Sequence, residues 1–202
     1  MKVFSFVTLS LLLGFICGCV TVPETKVYNI RFSNDIIKKS SDPNLGPITL
    51  FPVQAEKYLK QPFMVYRKSP YQIVISKFNR WDSAPRDILT KKINEALYSC
   101  NLFSNVYISN FQEEGSLGLR VNLRKFERSD NPDGSTSAEL EYEARLLDPA
   151  GKEIYQRIFS LKKAVSDSNP SHLAEAMSQL IEAGISGLIS DLSSVSYRSI
   201  VN

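Results

Sequence analysis

The hydrophobic positions in the second half of this 202-residue chain follow two periods. Apolar and polar residues alternate over 117–123 and again over 139–147, which predicts two β-strands that each bury one face. Turn residues at 131–134 join these strands into an antiparallel hairpin, and a second turn at 148–151 leads to a third strand over 154–161. The pattern therefore predicts an antiparallel meander late in the chain.

The polar positions of this hairpin carry charges of complementary sign. We expect Arg120 to lie opposite Glu143 and Arg124 opposite Glu139, as exposed cross-strand pairs that contribute roughly 0.2–1 kcal/mol each. Glu139, Glu141 and Glu143 resemble a carboxylate cluster, but alternate positions of one strand also form a solvated face. We interpret them as that face.

Short apolar segments predict further strands nearer the N-terminus. Alternation over 28–32 indicates a first strand, and others are expected over 48–53, 71–75 and 106–109. Pro52 indicates that the second of these lies near an edge or an end of the sheet.

Helical spacing of apolar residues predicts two amphipathic helices. Ser83 is expected to cap the first, which has Pro85 in its first turn, and the second begins at Asn169 and Pro170. The apolar stripes comprise Leu89, Ile93, Ala96, Leu97 and Cys100 in the first helix, and Leu173, Met177, Leu180, Ile181, Gly184, Leu188 and Leu192 in the second. The predicted fold class is α+β: a single domain with a mixed or antiparallel sheet and two amphipathic helices packed on one face.

The N-terminus has the pattern of an export signal. Lys2 precedes an uncharged apolar segment over 3–16, which ends in Ile16-Cys17-Gly18-Cys19. This ending resembles a lipobox, in which small residues precede the cysteine that receives a diacylglycerol thioether. We therefore predict a signal peptide at 1–18, lipidation at Cys19, a lipidated tether at 19–26 and the folded domain at 27–202. An uncleaved membrane anchor and a plain cleaved signal are the alternatives.

Composition and single residues exclude several functions. The net charge of +3 argues against a nucleic-acid partner, and the absence of a phosphate-binding loop argues against an ATPase subunit. Cys100 lies on a helical stripe and is expected to be a buried, inert thiol. His172 is expected on the surface, and a single histidine makes a zinc site improbable. We predict no metal, no cofactor and no catalytic constellation, so the protein is not expected to be an enzyme.

Trp81, Gly184 and Gly187 each allow two interpretations. Trp81 lies between two predicted elements, and we favour a core position over an anchor for a partner. Gly184 and Gly187 lie within the last helix, where small residues favour close packing over a nucleophile elbow, whose second glycine would come one residue later.

Several motifs, in order, resemble the ABC-type transport auxiliary lipoproteins of the paraquat-inducible protein C type. The lipobox is followed by Val27-Tyr28-Asn29-Ile30, by Tyr58-Leu59 with Met64-Val65-Tyr66-Arg67, and by Asn79-Arg80-Trp81 with Pro85 and Leu89. Trp81 and Pro85 are one residue further apart than in the family's pattern.

The resemblance implies a non-enzymatic accessory of an intermembrane lipid-transport system. Its implied partners are a periplasmic protein of the MCE type, an ABC permease and its ATPase, and it also implies a homo-oligomeric ring at the end of the MCE assembly. The implied location is the periplasmic face of the outer membrane. Asp directly after the lipidated cysteine is the common signal for inner-membrane retention, and this chain has Val20 there instead, which agrees with the outer membrane. An outer-membrane assembly lipoprotein, for lipopolysaccharide or barrel insertion, is the alternative.

Overall fold

The computed structural model describes residues 23–33, 35, 37, 39–40 and 45–200, with side chains to residue 195. The described strands are β1 (Lys26–Tyr28), β2 (Ile48–Leu50), β3 (Gln54–Ala55), β4 (Phe63–Ser69), β5 (Gln72–Trp81), β6 (Val106–Ile108), β7 (Leu117–Asp130), β8 (Thr136–Leu147) and β9 (Glu153–Val165). The helices are α1 (Pro85–Ser99) and α2 (Pro170–Ile200), with a 3-10 turn at Lys57–Lys60. Neither of these described α-helices is both long and apolar enough to cross a membrane.

The predicted meander is confirmed, and its three strands β7, β8 and β9 are longer than the alternation indicated. Their buried face contains Leu119, Val121 and Leu123 from β7 and Leu140 and Tyr142 from β8. These are the apolar positions of the two alternating segments. The period of two therefore identified the buried face correctly.

The predicted register of the β7–β8 hairpin is wrong. Arg120 lies opposite Arg145, and Glu139 lies opposite Glu127, so neither predicted cross-strand pair forms directly. The turn is centred further along the chain than expected, because Gly134 supplies a positive φ of 83° and its N–H donates to the Asn131 carbonyl. A β-bulge just after Leu123 then shifts the register back by one residue, which leaves Arg120 two residues from its predicted partner.

The other edge of β7 is covered by three short strands in succession. β2 pairs with its first residues, β3 with its middle and β4 with its last residues, all in parallel. β6 lies outside β2, and β5 and then β1 lie outside β4. Because β2 is flanked on both sides and ends at Leu50, Pro52 marks the end of that strand rather than an edge of the sheet.

The first strand is earlier and shorter than predicted. It ends at Tyr28 because the next backbone groups bond to α2 instead of the sheet: the N–H of Arg31 donates to Ser178 Oγ at 3.1 Å, and the N–H of Ser33 donates to Glu182 Oε1 at 3.0 Å. The hydrophobic periodicity does not show whether a backbone N–H bonds to a neighbouring strand or to a side chain of a helix.

α2 packs closely on the meander. A Cβ atom at Gly184 would lie 2.9 Å from Leu161 Cδ1 and 3.2 Å from Tyr142 Cε1, so only glycine fits there without movement of a neighbour. The expectation of close packing at Gly184 is confirmed. A larger residue here would push the helix away from β8 and β9.

α1 begins at Pro85 as expected, but Ser83 is not its cap. Ala84 is the N-cap residue and makes no side-chain capping bond. Proline restricts the preceding residue to extended backbone, so Ala84 is the last non-helical residue. Cys100 follows the helix, and it is fully buried as predicted, with burial raising the pKa of its thiol.

Candidate functional site: the tether end of the domain

The first described strand fixes the side from which the N-terminal chain enters the domain. β1 runs parallel to β5, with Lys26 opposite Asn79 and Tyr28 opposite Trp81. Because the strands point the same way, the chain before Lys26 enters from the side of Gln72, the first residue of β5. Residues 23–25, just before β1, are exposed.

Contacts with α2 agree on this direction. Residues 31 and 33 bond to residues 178 and 182 of α2 in turn, so the chain and the helix advance together. The start of α2 therefore lies at the same end as the entering chain. We call this the tether end; it comprises the β4–β5 turn (69–72), the β7–β8 turn (131–135) and the β9–α2 connection (166–169).

Of the two site residues that the sequence singles out, Cys19 lies outside the described residues. Six residues lie between it and Lys26. Its lipidation, like the signal peptide and the domain boundaries, stays a prediction.

Trp81 lies in the hydrophobic core at the end of β5. Its side chain is 2% exposed and meets the Phe126 ring edge-on, with centroids 5.1 Å apart. The indole N–H has no hydrogen-bond partner among the described residues. Contact between Trp81 and a partner would require the core to open. The burial of Trp81 therefore favours a core position over an anchor for a partner.

Ion pairs tie the strands together near the tether end. Asp130, the last residue of β7, pairs with Lys68 of β4 and accepts a bond of 2.8 Å from Arg128 Nε. Burial by itself raises the pKa of Asp130, but these two bonds outweigh it and hold the pKa below its usual range. Arg67 of β4 is bidentate to the buried Glu127, with Nη2 to Oε2 at 3.1 Å.

The charged sheet face, formed by the outward side chains of β7 and β8, includes a carboxylate that is not solvated. Glu143 is 3% exposed and is paired with Arg124 and Arg145. The amide of Gln156 and then the two guanidinium groups hold the pKa of Glu143 below its usual value. The interpretation of the glutamates as a solvated face is therefore wrong for Glu143.

Two clefts border α2, and both are lined by a mixture of apolar and polar residues. One of about 570 Å³ is lined by residues such as Ile37, Leu102 and Ser186, and one of about 650 Å³ lies between β1 and the first half of the helix. Within the described ranges no three His, Cys, Asp or Glu residues are placed to hold a metal ion.

A partly buried polar cluster between β9 and α2 was not anticipated from the sequence. Tyr155 Oη donates to Asp191 Oδ2 at 2.6 Å, and Arg157 Nη1 lies 2.7 Å from the same oxygen. Burial, together with the bond to Asp191, raises the pKa of the Tyr155 hydroxyl. The hydroxyl therefore stays protonated, and the cluster serves to hold the helix on the sheet.

The tip of the β4–β5 hairpin is the most exposed apolar feature of the tether end. Tyr71 is 98% exposed, and Val74, Ile75 and Phe78 along β5 are each more than one-third exposed. The sequence predicts a strand over 71–75 but does not show that its apolar residues are exposed. The pair Ser69-Pro70 just before Tyr71 was the available signal that the segment begins at a turn.

A model of the family described as ABC-type transport auxiliary lipoprotein component matches residues 35–184. A crystal structure from Xanthomonas campestris, of the DUF330 family, superposes with a TM-score of 0.76 at 15% identity and covers 88% of this chain and 100% of that one. The structure of an uncharacterized protein gives 0.65 at 17% identity, covering 84% and 99%.

More distant structures include a minor lipoprotein from Acinetobacter baumannii, with a TM-score of 0.44 at 10% identity over 73% of this chain and 92% of that one. No curated protein sequence matches the chain. The two nearer superpositions establish the α+β fold.

Proposed function

Because the chain belongs to the ABC-type transport auxiliary lipoprotein family, we propose that it is a lipid-anchored, non-enzymatic accessory of an MCE-linked intermembrane lipid-transport system. The observation that carries the proposal is the family match over 35–184 together with the lipobox-like Ile16-Cys17-Gly18-Cys19 before it. The family match supports the transport role, and the lipobox-like motif supports lipid attachment to a membrane.

Lipidation at Cys19 explains how a domain of this kind is held at a membrane. Acyl chains contribute about 0.8 kcal/mol per buried CH₂, and two such signals suffice for stable anchoring. The chain enters the domain at the tether end, so we place that end toward the lipid surface. Val20 after the modified cysteine supports the periplasmic face of the outer membrane.

The accessory acts by contact in this proposal. The Tyr155 hydroxyl donates to Asp191 and the Cys100 thiol is buried, so neither of these two groups is free to take part in catalysis. The partners we propose are the MCE-type periplasmic protein and, through it, the ABC permease and ATPase, which would reach a domain confined near the opposite membrane. A homo-oligomeric ring is the arrangement that the resemblance favours.

The first prediction compares two neighbouring cysteines. Cys19→Ser removes the thiol that the lipid needs, so we expect an unprocessed precursor and complete loss of lipid attachment. Cys17→Ser is the matched control: serine is similarly small, so processing and lipidation at Cys19 should persist. Mass spectrometry of the mature N-terminus measures both.

The same two variants test location and partnership. The Cys17→Ser protein should sediment with outer-membrane markers in a density gradient and capture an MCE-type protein from detergent extracts. An unmodified N-terminus other than Cys19 contradicts the lipoprotein proposal. Sedimentation with inner-membrane markers contradicts the location, and capture of a lipopolysaccharide or barrel-insertion assembly instead favours the alternative function.

A further inference from the structure

The β4–β5 hairpin projects an apolar, aromatic tip into solvent. Its turn contains Tyr71, whose side chain is 98% exposed. On one side β4 pairs with β7 only at Tyr66 and Arg67, and on the other side β1 covers β5 only from Asn79 onward. β7 therefore accompanies β4 almost to the turn, as the ion pair of Lys68 with Asp130 also shows, whereas residues 72–78 of β5 have no described strand beside them other than β4.

The position of the tip matches the reach of the chain that leads to Cys19. Residues 72–79 of β5 span about 23 Å at the usual rise of a strand. The seven Cα–Cα steps from Cys19 to Lys26 reach at most about 25 Å. Since Lys26 lies opposite Asn79 and the chain enters from the side of Gln72, an extended tether brings Cys19 level with Tyr71.

The side chains at the tip are those that favour the boundary of a bilayer. Tyrosine has an apolar ring and a polar hydroxyl, and it is enriched at the level of the lipid headgroups. Val74 and Ile75, one on each face of β5, add exposed apolar surface beside the turn, and Lys77 is exposed on the same strand. Lysine side chains in such positions extend toward phosphate groups.

We propose that this hairpin tip is a second membrane contact, seated in the headgroup region of the same bilayer that holds the lipid on Cys19. The inference rests on the proposed lipidation. A bilayer fits better than a protein partner because the tether itself confines the tip to that surface. With two points of attachment the domain has a fixed orientation.

The opposite end of β7 provides a matched control. Phe111 is 80% exposed, and the adjacent Gln112 bonds to the carbonyls of Ser116 and Asp148, just before β7 and just after β8. The 14 residues of β7 place this aromatic residue about 43 Å from the tether end.

The experiment attaches an environment-sensitive fluorophore to Tyr71→Cys or, as the control, to Phe111→Cys. The full lipidated chain is reconstituted in vesicles of phosphatidylethanolamine and phosphatidylglycerol. The Cys19 thiol is blocked by its lipid and Cys100 is buried, so only the new cysteine reacts. We expect a several-fold rise in emission, a blue shift and quenching by lipid-borne nitroxide at position 71, and none of these at 111.

A water-like signal at position 71, equal to that at 111, overturns the inference. Flotation and the mass of the lipidated N-terminus are measured on the same samples, so this result leaves the proposed anchoring intact. A shift at 71 that appears only when an MCE-type partner is added also overturns it and makes the tip a protein contact. An unlipidated chain would remove both proposals together.

Discussion

At the scale of single residues, Trp81 shows how one residue joins the first strand to the core. It pairs with Tyr28 in β1 through the backbone, donates its backbone N–H to Pro62 at 2.7 Å and packs its ring on Phe126. The residue that was considered as a partner anchor thus connects β1, β5 and β7. Its loss should affect stability before it affects binding.

The prediction for Trp81→Ala is a loss of about 3–5 kcal/mol in the free energy of unfolding, because a large buried ring leaves a cavity. Trp81→Phe should cost less, since the indole N–H makes no hydrogen bond within the described chain. Urea unfolding followed by circular dichroism measures both, with Phe111→Ala as an exposed control expected within about 0.5 kcal/mol. Near-wild-type stability of Trp81→Ala would contradict the core assignment.

At the scale of elements, the β7–β8 hairpin depends on a buried carboxylate. Glu143 of β8 accepts from Arg124 of β7, from Arg145 of its own strand and from Gln156 of β9. Three strands therefore converge on one negative charge. Removing that charge leaves cationic groups without their partner.

We expect Glu143→Gln to lower the free energy of unfolding at pH 7 by about 1–3 kcal/mol, the usual cost of a charged hydrogen-bond partner. The pKa of Glu143 is held below its ordinary value of 4.5, so its stabilisation is present above that pH and is lost as pH falls through the lower, folded-state value. The difference between variant and wild type should therefore disappear in strong acid.

Glu141→Gln is the matched control for this experiment. Glu141 lies on the same strand and face, but its nearest cations are 3.6 and 3.9 Å away, so we expect a change within about 0.5 kcal/mol. Chemical denaturation at a series of pH values separates the two variants. Equal pH profiles for Glu143→Gln and the wild type would contradict the role of this carboxylate.

The elements also mark where sequence reasoning succeeds and fails. Alternation over 117–123 and 139–147 identified the buried face, because burial of a strand acts on every second residue. The register failed because it depends on a turn and a bulge, which displace the partners of Arg120 and Arg124 without changing the alternation. The three parallel strands along β7 are long-range pairings, and local patterns carry no signal for them.

The candidate site is likewise only partly predictable from the sequence. Cys19 stands out because a lipobox is a contiguous motif that can be recognised directly in the sequence. The tip at Tyr71 does not, because apolar residues in a strand are assigned to the core unless the fold shows that the strand extends beyond its neighbours.

At the scale of the whole molecule, the fold places attachment and exposed surface at one end. The chain enters beside β5, and the hairpin tip and the start of α2 lie at that end, whereas Phe111 and the β8–β9 turn lie at the other. In the anchoring proposed above, a short tether holds this end at the lipid surface and directs the far end into the periplasm. Function by contact then depends on the height of the domain as well as on its fold.

The last prediction tests this dependence by lengthening the tether. About 20 flexible Gly and Ser residues inserted after Thr25 add a root-mean-square span of roughly 25 Å, which frees the domain from its fixed height while leaving Cys19 and the core unchanged. We expect loss of lipid-transport support in cells, with lipidation, melting temperature and outer-membrane fractionation retained. The same segment inserted after Ala150, in the exposed β8–β9 turn at the far end, controls for chain length and should leave the anchored geometry and the transport phenotype intact. Full activity with the long tether would show that the height of the domain does not matter, and it would end the argument for action at a confined surface.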